Sequence, residues 1–278
     1  MADTDLTRTG AVAHLRLQRV RARNAISLRM ADELAAHVAH LASAPGLGAL
    51  LISGDGPVFC AGADVDELAA TGNQRGAYVD QLAATMHQTL VALRALAIPV
   101  VAAVTGAVAG GGLGLMLASD LVVAGESCRF VPAYRRVGLT PDAGTTYWLP
   151  RMIGVRRSQD LLLRGRELRA PEALDWGLIS AMVADDQVGA VAEAWAEDLA
   201  AGPREALGQA KKLLGSTWSR TLEEQLQLEQ SAVSDQARSP EGAEGLLAFR
   251  AHRRPHFARP ELGTPGLPAG DPGRGDGP

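Results

Sequence analysis

The chain has 278 residues, of which 47% are hydrophobic and 21% charged, the balance of a folded globular chain and not of a disordered or fibrous one. Its net charge of −4 supplies neither a basic footprint for nucleic acid nor a polybasic face for a membrane. Two cysteines, Cys60 and Cys128, make neither a disulfide framework nor a metal-ligand spacing, which points to a reducing, cytoplasmic compartment.

The opening MADTDLTRTG lacks the basic and apolar regions of a signal peptide, and glycines or polar residues interrupt every candidate membrane span. Residues 11–17 alternate enough for a strand, and Arg19, Arg21 and Arg23 follow in a polar loop closed by Asn24-Ala25-Ile26. Residues 30–41 have helical spacing through Leu34, Val38 and Leu41. A short strand is expected at 49–53, then a turn at Gly54-Asp55-Gly56-Pro57. Phe59-Cys60-Ala61-Gly62-Ala63-Asp64 leads into a short helix towards Leu68, and the polar, glycine-containing residues 71–76 predict a mobile loop. Residues 78–96 read as an amphipathic helix with Leu82, Met86, Leu90 and Leu93 on one face.

The most informative stretch is 99–119, PVVAAVTGAVAGGGLGLMLAS. Val100, Val101 and Val104 suit a buried strand, after which Gly110, Gly111 and Gly112 open an apolar helix. Glycines at a helix start leave backbone N–H groups bare at the positive end of the dipole, a corner able to hold an anion or a developing oxyanion. A tight turn that merely needs close packing explains the same glycines, and the residues alone leave both readings open.

Further on, strands are expected at 121–124 and 130–131, a turn at 141–145, and helices up to 164, at 171–176 and at 185–200. From 203 the pattern is helical, with Leu222, Leu226 and Leu228 spaced for a core or a subunit interface. Repeated strand–turn–helix units predict an α/β fold with mostly parallel pairing. The expected organisation is a core over 1–202, a helical oligomerisation region over 203–260, and a Pro/Gly-rich disordered tail over 261–278. No Gly-Lys-Ser/Thr follows GGGLG, and there is no nucleophile elbow, His-Glu-x-x-His or Cys-x-x-Cys. No metal site is expected.

Four motifs carry a resemblance, in order: Arg21-Ala22-Arg23-Asn24-Ala25; Phe59 through Leu68; the 99–119 stretch followed by Asp120; and Gly138-Leu139-Thr140-Pro141-Asp142-Ala143-Gly144-Thr145-Thr146 with Pro150-Arg151. Together they resemble the crotonase superfamily, also called the enoyl-CoA hydratase/isomerase family, over about residues 10–259. The resemblance implies a spiral of ββα units with a C-terminal helical region, assembled as a homotrimer or homohexamer. It implies an acyl-CoA thioester as substrate, with coenzyme A part of that substrate and no separate cofactor. The thioester carbonyl would sit between the backbone N–H groups of Ala61 and Gly111. The backbone around Ala63, Asp64 and Val65 would meet the adenine end of the CoA, and Asn24 and Leu68 would join them in binding the substrate. Arg253, with His252 and Arg254, would reach its phosphates.

The chain also departs from the family. Hydratases in it use two glutamates, and the matching positions here are Gly114 and Tyr134. Neither accepts a proton near neutral pH, since tyrosine titrates at about 10. Asp142 stands where related isomerases and 4-chlorobenzoyl-CoA dehalogenases have an aspartate; without the resemblance it reads as a helix N-cap. His87 matches the dehalogenase active-site histidine, and on its own is an ordinary helix histidine. Tyr134 falls on the dehalogenase aromatic beside the substrate ring, whereas Met86 replaces another aromatic. The preferred reading is an enoyl-CoA or ring-epoxide isomerase in which Asp142 moves a proton across a thioester enolate. The alternatives are a dehalogenase or hydrolase with Asp142 as nucleophile and His87 as base, a hydratase with unusual residues, and an inactive CoA-binding scaffold.

Overall fold

The computed structural model describes residues 2–257. The chain opens with a hairpin, β1 (Thr4–Thr9) and β2 (Val12–Leu17), followed by α1 (Leu28–Ala42). It then builds three successive turns of a spiral. The first is β3 (Ala49–Gly54), β4 (Val58–Cys60), α2 (Val65–Ala70) and α3 (Arg75–Ala95). The second is β5 (Val100–Val104), β6 (Ala107–Ala109) and α4 (Gly111–Leu117). The third is β7 (Leu121–Gly125), β8 (Arg129–Val131), α5 (Thr145–Ile153) and α6 (Val155–Arg164). β9 (Leu168–Arg169), α7 (Ala170–Asp175), β10 (Ala181–Val183) and α8 (Val188–Ala201) close the core.

Each turn gives one strand to each of two sheets. The first sheet runs β1-β2-β3-β5-β7-β10 and the second β4-β6-β8-β9. Pairing is parallel except at the edges, β1 with β2 and β8 with β9. Central strands of such a sheet are covered on both faces, and β5, all valine and alanine, is buried along its length. Leu50, Ile52, Val100, Ala102 and Val104 face the main core. Leu51, Val101, Ala103 and Val123 face α8, which lays Val188, Ala192 and Ala196 against them. This is the α/β spiral with mostly parallel pairing that the sequence leads one to expect.

Two expectations are overturned here. Residues 71–76 are not a loop: a 3-10 turn spans Gly72–Gln74 and α3 starts at Arg75, with Gly72 (φ 54°) as the joint. Residues 4–9, TDLTRT, read as no element and form β1, an edge strand buried at Thr4 and exposed from Thr7 to Thr9. Buried Asp3 fixes its start, accepting from Ser27 Oγ (3.2 Å) and from Arg29.

Beyond the core come α9 (Arg204–Ser216), α10 (Leu222–Arg238) and α11 (Pro240–Arg250). Lys211 is the one buried side chain of α9, and α10 has none. Its Nζ donates to the Ile98 carbonyl (2.9 Å) and pairs with Asp120 (2.8 Å), which also binds Arg94 and the Val100 N–H. Leu222, Leu226 and Leu228 are exposed, together with Trp218, Val233 and Phe249, so they are not core positions. The expected tail at 261–278 lies outside the described residues. No helix among the described residues is long and apolar enough to cross a membrane.

Candidate active site

The glycine corner is a meeting of two backbones. Gly62 has a φ of 89°, and a Cβ there would lie 2.8 Å from the Ala109 carbonyl oxygen and 3.3 Å from the Gly111 nitrogen. A Cβ at Gly112 would lie 2.8 Å from the Cys60 carbonyl oxygen. Glycine at both positions therefore lets α4 rest directly on residues 60–62. Ile26 is bridged around Ala63: its N–H donates to Gly62 O (2.7 Å) and its carbonyl accepts from Asp64 N (2.9 Å). The Ala63 N–H consequently faces away from Ile26. Neither it nor the Gly111 N–H has a hydrogen-bond partner among the described residues.

Ala61 does not provide the expected donor. Its N–H is spent on the Arg23 carbonyl oxygen at 3.1 Å. The left-handed conformation of Gly62 is the cause, because it breaks the regular alternation of an extended chain and turns the next peptide towards α4. The bare N–H groups at the corner are thus those of Gly111, as expected, and of Ala63, whereas that of Ala61 is paired.

Three of the residues expected to bind the CoA use their side chains to hold the framework. Asn24 is fully buried and donates from Nδ2 to the carbonyls of Asp55 (2.9 Å) and Val58 (2.8 Å). Asp64 caps α2, accepting from Asp66 N (3.1 Å) and Glu67 N (3.0 Å), and pairs with Arg19 (2.8 Å). Leu68 is buried in the core, while Val65 is exposed. None of Asn24, Asp64 and Leu68 offers its side chain to a ligand; they fix the loop whose backbone, at Ala63, reaches the corner. Arg253 is committed as well, with a two-pronged pair to Glu244 at 2.7 and 2.8 Å. That guanidinium and the His256 N–H push the Glu244 carboxyl down to about 2.

Across from the corner, residues 141–144 form a turn held from several sides. The Asp142 carbonyl accepts from Thr145 N (3.0 Å), Thr145 Oγ1 (2.8 Å) and the Tyr134 hydroxyl (3.3 Å). Ala143 adopts a left-handed φ of 48°, and its N–H donates to His87 Nε2 at 3.2 Å. A Cβ at Gly114 would lie 2.2 Å from the Ala143 carbonyl oxygen and 2.6 Å from its Cβ, so the turn is seated in the notch that Gly114 leaves in α4.

Asp142 is not a helix cap. α5 starts from Gly144, which has no side-chain cap. The half-buried Asp142 carboxylate is therefore free of that structural duty. Burial, and then the Asp142 charge, push the Tyr134 hydroxyl well above its ordinary range, so it stays a proton donor. His87, Tyr134 and Asp142 thus converge on one turn, with His87 meeting its backbone. A wide cavity of about 1730 Å³ lies behind it, between α3, α5 and the C-terminal helices, bordered by His87, Gly144 and Trp148. Asp142, Ala63 and Gly111 are not among the residues that line it.

The family model described as enoyl-CoA hydratase/isomerase matches residues 7–260. A Rhodobacter capsulatus protein named a probable enoyl-CoA hydratase is 37% identical over 246 residues, covering 88% of this chain and 94% of its own. The 1,2-epoxyphenylacetyl-CoA isomerase of Escherichia coli is 34% identical over 247 residues, again 88% of this chain and 94% of its own. A crystal structure of an enoyl-CoA hydratase from Polaromonas sp. JS666 superposes with a TM-score of 0.88 at 30% identity, covering 92% of this chain and 99% of that one.

Proposed function

The chain belongs to the enoyl-CoA hydratase/isomerase family of acyl-CoA enzymes, and within it we propose that this protein is an isomerase of an enoyl-CoA or ring-epoxide acyl-CoA. The observation that carries the reading is the seat at Gly114. The space a glutamate would need there is filled by Ala143, and the second glutamate position is a buried tyrosine that keeps its proton. Asp142 is then the one carboxylate at the site suited to proton transfer.

The thioester carbonyl accepts from the Ala63 and Gly111 N–H groups. As a proton leaves the carbon next to it, negative charge grows on that oxygen, and each fixed donor lowers the barrier by about 3 kcal/mol. Asp142 takes the proton and returns it to another carbon of the conjugated system. One carboxylate suffices because the proton is moved and not consumed, whereas adding water calls for a base and an acid together. Coenzyme A arrives as part of the substrate, and no separate cofactor takes part. The exposed leucines and aromatics of α9–α11 support a homotrimer or homohexamer.

Asp142→Asn tests the reading with 3-hexenoyl-CoA as probe and conversion to the conjugated 2-enoyl thioester as the readout. Turnover falls about 100- to 10,000-fold while the thioester still binds. Unchanged turnover overturns it.

A further inference from the structure

We infer that His87 is a positioning residue, which aims Asp142 by holding the Ala143 N–H, and not a general base. The inference rests on the isomerase reading for the identity of the reacting group, and on the geometry of the turn for everything else. A backbone N–H only donates, so the ring atom facing Ala143, Nε2, is the one carrying the lone pair, and the ring proton sits on Nδ1. The lone pair a base would use is already taken.

The hold matters because Ala143 resists the conformation it is in. A left-handed φ is unfavourable for alanine and persists only where its surroundings impose it. Contacts on three sides impose it here. Tyr134 and Thr145 grip the Asp142 carbonyl, on one side of the peptide. Gly114 accommodates the Ala143 carbonyl and Cβ from below. On the N–H side His87 is the one partner among the described residues, and Ala143 itself is 2% exposed. Without His87, the Asp142–Ala143 peptide keeps only the ties on its carbonyl, and any rotation towards an ordinary alanine conformation swings the neighbouring carboxylate off its line to the substrate. α3 keeps the ring in place: Leu90 and Leu93 bury its next turns, and Arg94 is bound to Asp120.

The test compares His87→Gln, which keeps an acceptor at about the reach of Nε2 but is no base, with His87→Leu, which removes the acceptor. Two quantities are measured. One is exchange of the carbon-bound protons of 3-hexenoyl-CoA into deuterium oxide; the other is hydrogen exchange of the Ala143 amide in the ligand-free protein. In His87→Leu, kcat for proton exchange falls about 10- to 100-fold with KM within about twofold, the signature of a misplaced group. The Ala143 amide exchanges at least about tenfold faster. His87→Gln keeps kcat within about threefold of the parent and keeps the amide protected.

Equal loss in both variants with a protected Ala143 amide makes His87 a base and overturns the inference. Unchanged rates and protection in both overturn it too. Asp142→Asn in the same assay separates the two claims. If it still exchanges protons the isomerase reading fails, while the amide protection continues to decide the role of His87. That amide measurement also decides the matter if the parent protein does not turn this thioester over.

Discussion

Asn24 donates from Nδ2 to the Val58 carbonyl oxygen at 2.8 Å, fastening the loop after β2 to the start of β4. A second bond from the same nitrogen reaches Asp55, and Asn24 itself has a φ of 54°, a region that asparagine tolerates better than alanine. Asn24→Ala therefore loses two buried bonds and keeps an unfavourable backbone. Urea unfolding is expected to report a loss of about 2–4 kcal/mol. A variant as stable as the parent that binds acyl-CoA poorly would instead return Asn24 to direct substrate contact.

A glutamate placed at position 114 is not expected to support hydration. The side chain of Gly114→Glu starts 2.2 Å from a backbone oxygen that no flexible tip can move aside. Overpacking of this kind costs about 1–3 kcal/mol, and displacing the Asp142 turn lowers isomerisation about tenfold or more. Crotonyl-CoA assayed for 3-hydroxybutyryl-CoA should give no product. Hydration at an unchanged melting temperature contradicts the geometry.

Tyr134→Phe leaves the ring and removes the hydroxyl that bonds the Asp142 carbonyl at 3.3 Å. Thr145 still holds that carbonyl, so the turn survives with one tie fewer. One neutral hydrogen bond is worth about 1 kcal/mol, which sets the expected fall in kcat at about three- to tenfold with little change in KM. A loss of a thousandfold would mean that the hydroxyl itself takes part in the proton transfer.

Glu244 gives a pH dependence of known sign. Its carboxyl is held at about 2 in the folded chain, by Arg253 first and the His256 N–H second, against an ordinary 4.5. A carboxyl with a depressed folded value contributes stability above its ordinary value and loses it as pH falls towards the folded one. Protection of the His256 amide should accordingly be full above about 4.5 and decline as pH approaches about 2. Glu244→Gln should abolish that pH dependence; a profile identical to the parent assigns the protection to some other contact.

The sequence carries the core well because buried parallel strands are written as short apolar runs, as in Leu50-Leu51-Ile52 and Val100–Val104. It hides β1 because an edge strand with one wet face needs no such run, and TDLTRT has almost none. The C-terminal leucines have helical spacing, and spacing does not say whether the face they share is covered within the chain.

At the site, residue types are legible and backbone directions are not. Gly111 follows from the glycine run. Whether Ala61 or Ala63 provides the other bare N–H depends on the left-handed φ of Gly62, a torsion that no side-chain pattern encodes. Asp142 stands out as a carboxylate, yet its release from capping depends on the left-handed pair Ala143 and Gly144 that precedes α5. Arg253 looks available in the sequence. It is claimed by Glu244, nine residues earlier, because the chain turns back after α11 at His252 with a φ of 51°.

The seat at Gly114 has a consequence for how such a site can be altered. Positions 114 and 143 compete for one volume, so their substitutions are not independent, and a change acceptable at one depends on what stands at the other. Retracting the 142–144 turn has to precede any side chain at 114, and retraction carries Asp142 away with it. A carboxylate on α4 and a carboxylate on the turn are therefore alternatives, and exchanging one for the other demands a joint rearrangement of side chain and backbone.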